Sequence, residues 1–266
     1  MLGGARLGIL LLETGNPDLP GTLADPRSFR YPVLLRKVKR ASTQAVLDAK
    51  PQAGIEFVRA AVALEAAGAA AVVTNCGYAV VYQRAIQRAV SVPVAASSLL
   101  LLPAIMQSVG PGATVGILAY DATRLGLRHL RAAGVHASER IVTVGIEGTR
   151  SWQALAARRP QLTMRQLRQD VGAAARRLLA AHPAISAVLL ECSVFCATAD
   201  WLRRRTPFPL WDYRALCDGI WAQATARTEA RGPVAGTGGR AREKDAEGLP
   251  CPETPPLGLA LRRGPI

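Results

Sequence analysis

The chain has 266 residues, half of them hydrophobic, which is enough for one large domain or two of modest size. Its formal net charge of +14 comes from 33 Lys and Arg residues that are dispersed, apart from clusters at 36–40 and 203–205. Because aromatic residues make up only 5% and no nucleic-acid-binding motif is present, we interpret this charge as solvated helix faces and expect no nucleic-acid partner.

Cysteine usage and the apolar segments predict a soluble protein of the cytoplasm. Five cysteines, an odd number, do not form a disulfide framework in a chain of this size, so a reducing compartment is expected. The apolar run 7–12 is shorter than the core of a signal peptide. The longest apolar stretch, 92–106, is interrupted by Ser97, Ser98 and Pro103 and falls short of the roughly 20 residues needed to span a bilayer. We therefore expect no membrane partner.

Strands and helices are predicted to alternate along the chain. The first strand, 6–12, is followed by a proline-rich loop over 13–33. The further predicted strands are 70–74, 92–95, 113–118, 141–145 and 185–190, and the predicted helices are 55–67, 80–89, 99–108, 122–133, 164–181, 197–204 and 212–227. This alternation is typical of an α/β fold with parallel sheets and helices on both faces.

The two halves of the chain are similar in outline, which predicts two pseudo-equivalent lobes with an active-site cleft between them. Residues 1–109 form the first predicted lobe and 110–209 the second, while 210–228 is expected to pack back on the first. From 229 to 266 the composition is rich in Gly, Pro and charged residues, without periodicity, so we predict a disordered tail. Cys251 lies in this tail and is not assigned a catalytic role.

Two cysteines occupy equivalent places in these halves. Segments 69–78 (AAAVVTNCGY) and 184–195 (AISAVLLECSVF) each read as a buried strand that ends at a polar residue and a cysteine, before a helix. Cys76 and Cys192 are therefore predicted at the carboxyl ends of two parallel strands, where α/β folds bind ligands. Because a helix N-terminus favours anions, we expect the thiol pKa to be lowered there, towards neutrality.

The motifs around these cysteines resemble those of the aspartate/glutamate racemase superfamily. The resemblance rests on Thr74-Asn75-Cys76-Gly77 and Glu191-Cys192-Ser193, covers about 6–225, and includes a loop over 20–33 similar to one in a less characterised branch. The superfamily includes amino-acid and hydantoin racemases, maleate isomerases and arylmalonate decarboxylases. The resemblance implies a cofactor-independent enzyme in which two cysteines flank a carboxylate-bearing substrate.

Proton transfer at the α-carbon of a small carboxylate, such as an amino acid, is the predicted activity. Removing a proton next to a carboxylate needs a base, and replacing it from the other face needs an acid, so Cys76 and Cys192 are the predicted acid/base pair without a metal or cofactor. The predicted substrate-binding residues are Thr74, Asn75, Gly77, Ser193 and Thr123. Thr123 is equally interpretable as part of a helix N-cap. Glu191 is expected to point away towards an arginine, to cap a loop, or to recognise a substrate amino group.

Several alternatives remain open at this point. The enzyme can use one cysteine only, as in isomerisation of an unsaturated diacid or decarboxylation of a malonate, or the cleft can bind a carboxylate without catalysis. Either cysteine can also be a small core residue, which is how we interpret Cys196 and Cys217. We expect a small carboxylate as the ligand and a homodimer as the assembly.

Overall fold

Two four-stranded parallel sheets form the framework of the molecule. The structure is a computed structural model that describes residues 5–136 and 138–231, the last five of these for the backbone only. The first sheet has the order β2-β1-β3-β4 and the second the order β6-β5-β7-β8. The strands are β1 (Arg6–Leu11), β2 (Val33–Lys37), β3 (Ala69–Thr74), β4 (Val94–Ala95), β5 (Thr114–Ala119), β6 (Ile141–Gly145), β7 (Ile185–Leu190) and β8 (Leu210–Trp211).

Helices cover both sheets, and several of them follow short 3-10 turns. They are α1 (Thr43–Leu47), α2 (Pro51–Ala66), α3 (Gln83–Ala89), α4 (Leu102–Val109), α5 (Leu127–Ala132), α6 (Arg150–Ala156), α7 (Met164–Ala181), α8 (Ala199–Arg203) and α9 (Tyr213–Arg231). The predicted α/β class with two similar parallel-sheet lobes is confirmed, since both sheets repeat one strand order with every pair parallel.

The central strands have the composition that burial on both faces requires. β3 (AAAVVT) and β7 (ISAVLL) are buried over nearly their whole length, and each pairs with the first strand of its own sheet. The register places Leu10 opposite Thr74, and Leu118 opposite Leu190. The residues that follow these four positions therefore lie at the carboxyl edges of the sheets, which is where both predicted catalytic cysteines stand.

The prediction was wrong about segments that are short or exposed. The loop expected to end at 33 leads directly into the edge strand β2, and the basic cluster at 36–40 forms the end of that strand and the turn after it. Helices α1 and α6 were not predicted. The helices expected over 80–89 and 197–204 begin earlier, as 3-10 turns at Gly77–Tyr82 and Ser193–Thr198 that continue into α3 and α8.

Helix α9 connects the two lobes. It follows β8 of the second sheet but packs against β3 and β4 of the first. The helix continues to Arg231, beyond the residue 229 at which the tail was predicted to start. The rest of that predicted tail, with Cys251, lies outside the described residues. Within the described part of the chain, no helix is both long and apolar enough to cross a membrane.

Candidate active site

A pocket lies at the carboxyl ends of the two sheets and contains both predicted catalytic cysteines. It is a small pocket, and its empty space of about 390 Å³ includes space that is open to solvent. Its walls are formed by Leu12, Gly15, Thr43, Asn75, Cys76, Gly77, Tyr78, Tyr120, Leu155, Glu191, Cys192, Ser193 and Val194. The two lobes thus contribute one cysteine each to a single cavity suited to a small molecule.

The backbone presents the two thiols in the same way. Cys76 and Cys192 are each in an extended conformation at the start of a 3-10 turn. The N–H groups of Tyr78 and Ala79 face the Cys76 sulfur, and those of Val194 and Phe195 face the Cys192 sulfur. Because N–H groups favour an anion at the acceptor, each turn supports the thiolate form of its cysteine.

The effect of burial on the thiol pKa values outweighs that of these N–H groups. The pKa of Cys76 and the pKa of Cys192 are both raised above their usual value, first by removal of the thiols from water and second by the charge of Glu191. The expectation of lowered thiol pKa values was therefore wrong. A short 3-10 turn aligns few peptide dipoles, so it offsets little of the cost of burying a charged sulfur.

Glu191 lies inside the pocket, and not towards an arginine as one sequence-based alternative had it. Its side chain is 1% exposed, and one carboxyl oxygen accepts the Tyr120 N–H at 3.0 Å, while the Gly77 N–H also donates to the carboxyl. Burial raises the pKa of Glu191 to about 8. At neutral pH the carboxyl is therefore largely protonated and does not repel an anionic substrate, which removes the electrostatic objection to a glutamate in this place.

Gly77 permits this approach of the carboxyl. A Cβ atom built at position 77 would lie 2.6 Å from Cγ and 2.7 Å from Cδ of Glu191. Such distances are well inside van der Waals contact, so a larger residue here would displace the glutamate. Gly77, which is predicted to bind substrate, lines the pocket, and its N–H donates to Glu191 across the boundary between the two lobes.

Polar contacts also join the lobes beneath the pocket. The Ser193 hydroxyl donates to the Asn75 carbonyl at 2.6 Å, and the Ser98 hydroxyl donates to the Glu191 carbonyl at 3.1 Å. The Tyr78 hydroxyl donates to the Asp121 carbonyl at 2.6 Å and accepts the Asp121 N–H at 3.0 Å. These buried bonds fix the two cysteine-bearing turns relative to each other.

Three predicted substrate-binding residues have structural contacts of their own. The Asn75 amide lines the pocket, but its oxygen accepts the Leu12 N–H at 2.9 Å and its nitrogen donates to Asn16 at 2.7 Å. Thr74 is fully buried and donates to the Ala96 carbonyl at 2.7 Å, outside the pocket wall. Thr123 is exposed and bonds the Asp121 side chain that caps the turn after β5, which is the capping interpretation of the sequence.

Several pocket residues were missed by the sequence analysis. The loop after β1 contributes Gly15, whose N–H donates to the Ala157 carbonyl of the other lobe at 3.1 Å, while Leu155 covers the pocket beside it. An aromatic wall is formed by Tyr120, whose ring stacks on Trp152 at 6.2 Å between centroids. Tyr120 directly follows β5, and Leu12 directly follows β1. Their positions at the carboxyl ends of predicted strands could have identified them as pocket residues.

The chemistry of the wall is unusual for a site that binds acids. It contains two thiols, two tyrosines and one carboxyl, and no lysine or arginine is among the described residues that line it. Within the described chain, no group of three or more His, Cys, Asp or Glu side chains is arranged to hold a metal ion. A carboxylate in this pocket must therefore be bound by N–H and hydroxyl groups.

Solved structures share this architecture. The allantoin racemase from Klebsiella pneumoniae superimposes with a TM-score of 0.54 over 86% of this chain and 88% of its own, at 13% identity. An aspartate racemase from Picrophilus torridus gives 0.51 over 84% and 95%, at 12% identity. The chain therefore shares the fold of these two racemases, which is the fold that the resemblance of the cysteine motifs implied.

Sequence comparison defines the family more narrowly. No family model matches the chain. A dimethylsulfoniopropionate lyase from Durusdinium sp. clade D is 30% identical over 215 residues, which are 78% of this chain and 71% of that protein. Dimethylsulfoniopropionate lyase 6 of Emiliania huxleyi (strain CCMP1516) is 26% identical over 230 residues, 81% of this chain and 59% of that protein. The chain belongs to the dimethylsulfoniopropionate lyase family.

Proposed function

We propose that this protein is a cofactor-independent lyase that cleaves dimethylsulfoniopropionate to dimethyl sulfide and acrylate. The observation that carries the proposal is the pocket itself, in which two thiols face a small cavity walled by aromatic and apolar groups without a cationic side chain. A dicarboxylate would leave negative charges unpaired there. A zwitterion that brings its own positive charge fits such a pocket, and family membership favours a sulfonium zwitterion.

The proposed reaction begins with the proton transfer expected for this fold. A thiolate removes a proton from the carbon next to the carboxylate, and the electron pair of the C–H bond forms a double bond to the neighbouring carbon. The bond from that carbon to sulfur breaks, and its electrons leave with neutral dimethyl sulfide. Acrylate remains, and the thiol returns its proton to water, so the balance needs no oxidant, reductant or metal.

Cys76 and Cys192 are the proposed acid/base residues. Each thiol has two N–H groups directed at its sulfur, so each can carry charge during the proton transfer. The backbone N–H of Ser193, at the start of the second 3-10 turn, is the proposed partner of the substrate carboxylate, since the Ser193 hydroxyl already donates to the Asn75 carbonyl. Hydrogen-bond donors close to a developing negative charge stabilise it. Elimination requires one base, so one cysteine acts as the base and the other stabilises the charge or the leaving group.

A racemase is the second candidate, because the two cysteines are placed equivalently at the ends of β3 and β7. Two bases on opposite sides of one α-carbon would take a proton from one face and return one to the other. Both activities share the first step, so the fate of the carbanion-like intermediate separates them. A good leaving group on the next carbon directs it to elimination.

The direct experiment is headspace measurement of dimethyl sulfide from dimethylsulfoniopropionate, with Cys76→Ser and Cys192→Ser beside the parent. Cys217→Ala is the matched control, since Cys217 is buried in the core away from the pocket. We expect sulfide release by the parent and the control, and a loss of at least about 100-fold in the variant that lacks the base. Absence of sulfide, together with deuterium exchange at the α-carbon of amino acids in D₂O that both serine variants abolish, would replace the lyase by the racemase.

A further inference from the structure

Glu191 is a buried carboxyl that faces the pocket without a cationic partner. Its oxygens accept N–H groups from both lobes, and the side chain is 1% exposed. None of the ion pairs formed by the described residues includes it. Carboxyl groups buried in proteins are normally paired, because removal of an unpaired charge from water is costly. Among the residues that the structure describes, none supplies a cation to Glu191, so a positively charged ligand would complete the pair.

The groups around Glu191 strengthen this conclusion, because all of them are neutral or acidic. The titratable side chains whose charge is felt at Glu191, or that feel its charge, are Cys76, Cys192, Tyr78, Tyr120, Tyr213 and Asp121. Ionisation of any one of them makes ionisation of the others harder, as the raised pKa values of the two thiols illustrate. A single positive charge inside the pocket would relieve all of these repulsions together.

We propose that Glu191 is the counter-charge for the cationic end of the substrate, and that it determines the preference of the pocket for a sulfonium zwitterion. This inference rests on the proposed lyase function. When the sulfonium enters, Glu191 releases its proton to solvent, and its two N–H donors and the ligand cation then stabilise the carboxylate. The ring of Tyr120 provides a second attraction, since aromatic faces attract onium groups.

The same positive charge has a consequence for the thiols. A cation close to both sulfurs favours their charged form and compensates the negative charge that Glu191 acquires when its proton leaves. The thiols therefore meet no added repulsion when the substrate binds, while burial keeps their own pKa values raised. This also protects two otherwise reactive thiols from alkylation and oxidation in the absence of substrate.

The test compares two ligands that differ in charge but hardly in shape. Dimethylsulfoniopropionate and its carbon isostere 4-methylpentanoate are titrated calorimetrically into protein in which Cys76 and Cys192 are both serine, so that elimination does not consume the ligand. We expect the sulfonium compound to bind at least about tenfold more tightly at pH 8.5. Below pH 8 its affinity should fall by about tenfold per pH unit, because one proton must leave Glu191 on binding, whereas the isostere should not show this dependence.

Glu191→Gln in the same background should bind the two ligands equally and without a slope in pH. Glu147→Gln is the matched control, because the Glu147 carboxyl also accepts a backbone N–H, that of Ala122 at 3.1 Å, but does not line the pocket. Since the amide can accept only one of the two N–H groups, the pH dependence of the Glu191-containing protein is an independent readout that needs no variant at this position.

Equal affinity for the two ligands, binding of neither, or an affinity for the sulfonium compound that falls as pH rises would each overturn the inference. The last result would mean that protonated Glu191 donates to the substrate carboxylate. Failure of this inference can be distinguished from failure of the proposed lyase function. A parent enzyme that releases dimethyl sulfide while Glu191→Gln keeps the tenfold preference refutes only the role of Glu191. A parent without lyase activity that still prefers the sulfonium ligand refutes only the reaction.

Discussion

Replacing Gly77 by alanine is expected to separate Glu191 from the backbone that holds it. The added Cβ would lie 2.6 Å from Glu191 Cγ, about 1 Å closer than ordinary contact, and the atom is buried and cannot move into solvent. The carboxyl would have to give up the N–H groups of Tyr120 and Gly77. The Gly77→Ala substitution therefore tests whether the two lobes pack as closely at Glu191 as the structure shows.

The magnitude follows from the hydrogen bonds that would be lost. Glu191 is mostly neutral at pH 7, so each bond contributes about 1 kcal/mol, and an N–H group left buried without an acceptor costs about 1–3 kcal/mol more. We expect the free energy of unfolding to fall by about 2–5 kcal/mol in total. In a chain of this size that corresponds to a decrease in melting temperature of roughly 5–15 °C.

Urea denaturation and thermal melting of Gly77→Ala measure this effect, and dimethyl sulfide release measures its consequence for the pocket. Gly126→Ala is the matched control, since a Cβ atom there meets no atom within 4 Å, and its stability should remain close to that of the parent. A Gly77→Ala protein within about 0.5 kcal/mol of the parent, with unchanged activity, would refute the close packing of the two lobes at Glu191.

Three further predictions follow from the same contacts. Tyr78→Phe leaves the N–H and the carbonyl of Asp121 unpaired, so the free energy of unfolding measured in urea should fall by about 2–4 kcal/mol. Tyr82→Phe should cause a smaller decrease, because the Tyr82 hydroxyl bonds one carbonyl only. Equal decreases in the two variants would contradict this prediction. Burial lowers the pKa of His129 to about 4, so the unfolded state binds a proton first and stability should fall as pH decreases from about 6.5 to 4; a His129→Phe protein that keeps this slope would refute the assignment. Because the pKa values of both pocket thiols are raised, iodoacetamide should alkylate them far more slowly at pH 7 than a free cysteine, and rapid labelling in the absence of ligand would contradict the description of the site.

The buried strands could be predicted from the sequence because their pattern depends on burial alone. The run 185–190 is apolar except for Ser186, and β7 occurs with these bounds and is buried over nearly its whole length. The run 141–145 was also predicted with the observed bounds, although β6 is only half-buried. The long helix 164–181 has a clear amphipathic period and was also predicted with its observed bounds. Strand β2 gave no such signal, because it is an exposed edge strand with two basic residues.

The site was predictable at the two cysteines and less so elsewhere. The repeated strand–cysteine pattern located Cys76 and Cys192, whose presence in one pocket follows from two sheets with the same strand order. Gly15 lies in the loop after β1 and Leu155 in helix α6, and they meet only across the cleft, so no local pattern reports this contact. The orientation of the Glu191 side chain could not be predicted either, because a carboxyl at a strand end can point to solvent or into the protein. It points inward here because Gly77, 114 positions earlier in the chain, leaves room for it.

The hydrogen bonds beneath the pocket bear on whether either half of the molecule can exist by itself. The turn that carries Cys76 receives its polar partners from Ser193 and Asp121, and the turn that carries Cys192 receives them from Ser98 and Gly77. Cutting the chain near Gly110 would therefore leave each fragment with unpaired buried groups at the very segment that bears its thiol. The repeated fold resembles two copies of one unit, yet each lobe depends on the other for the hydrogen bonds that hold its cysteine-bearing turn. We therefore expect the protein to unfold in one cooperative step.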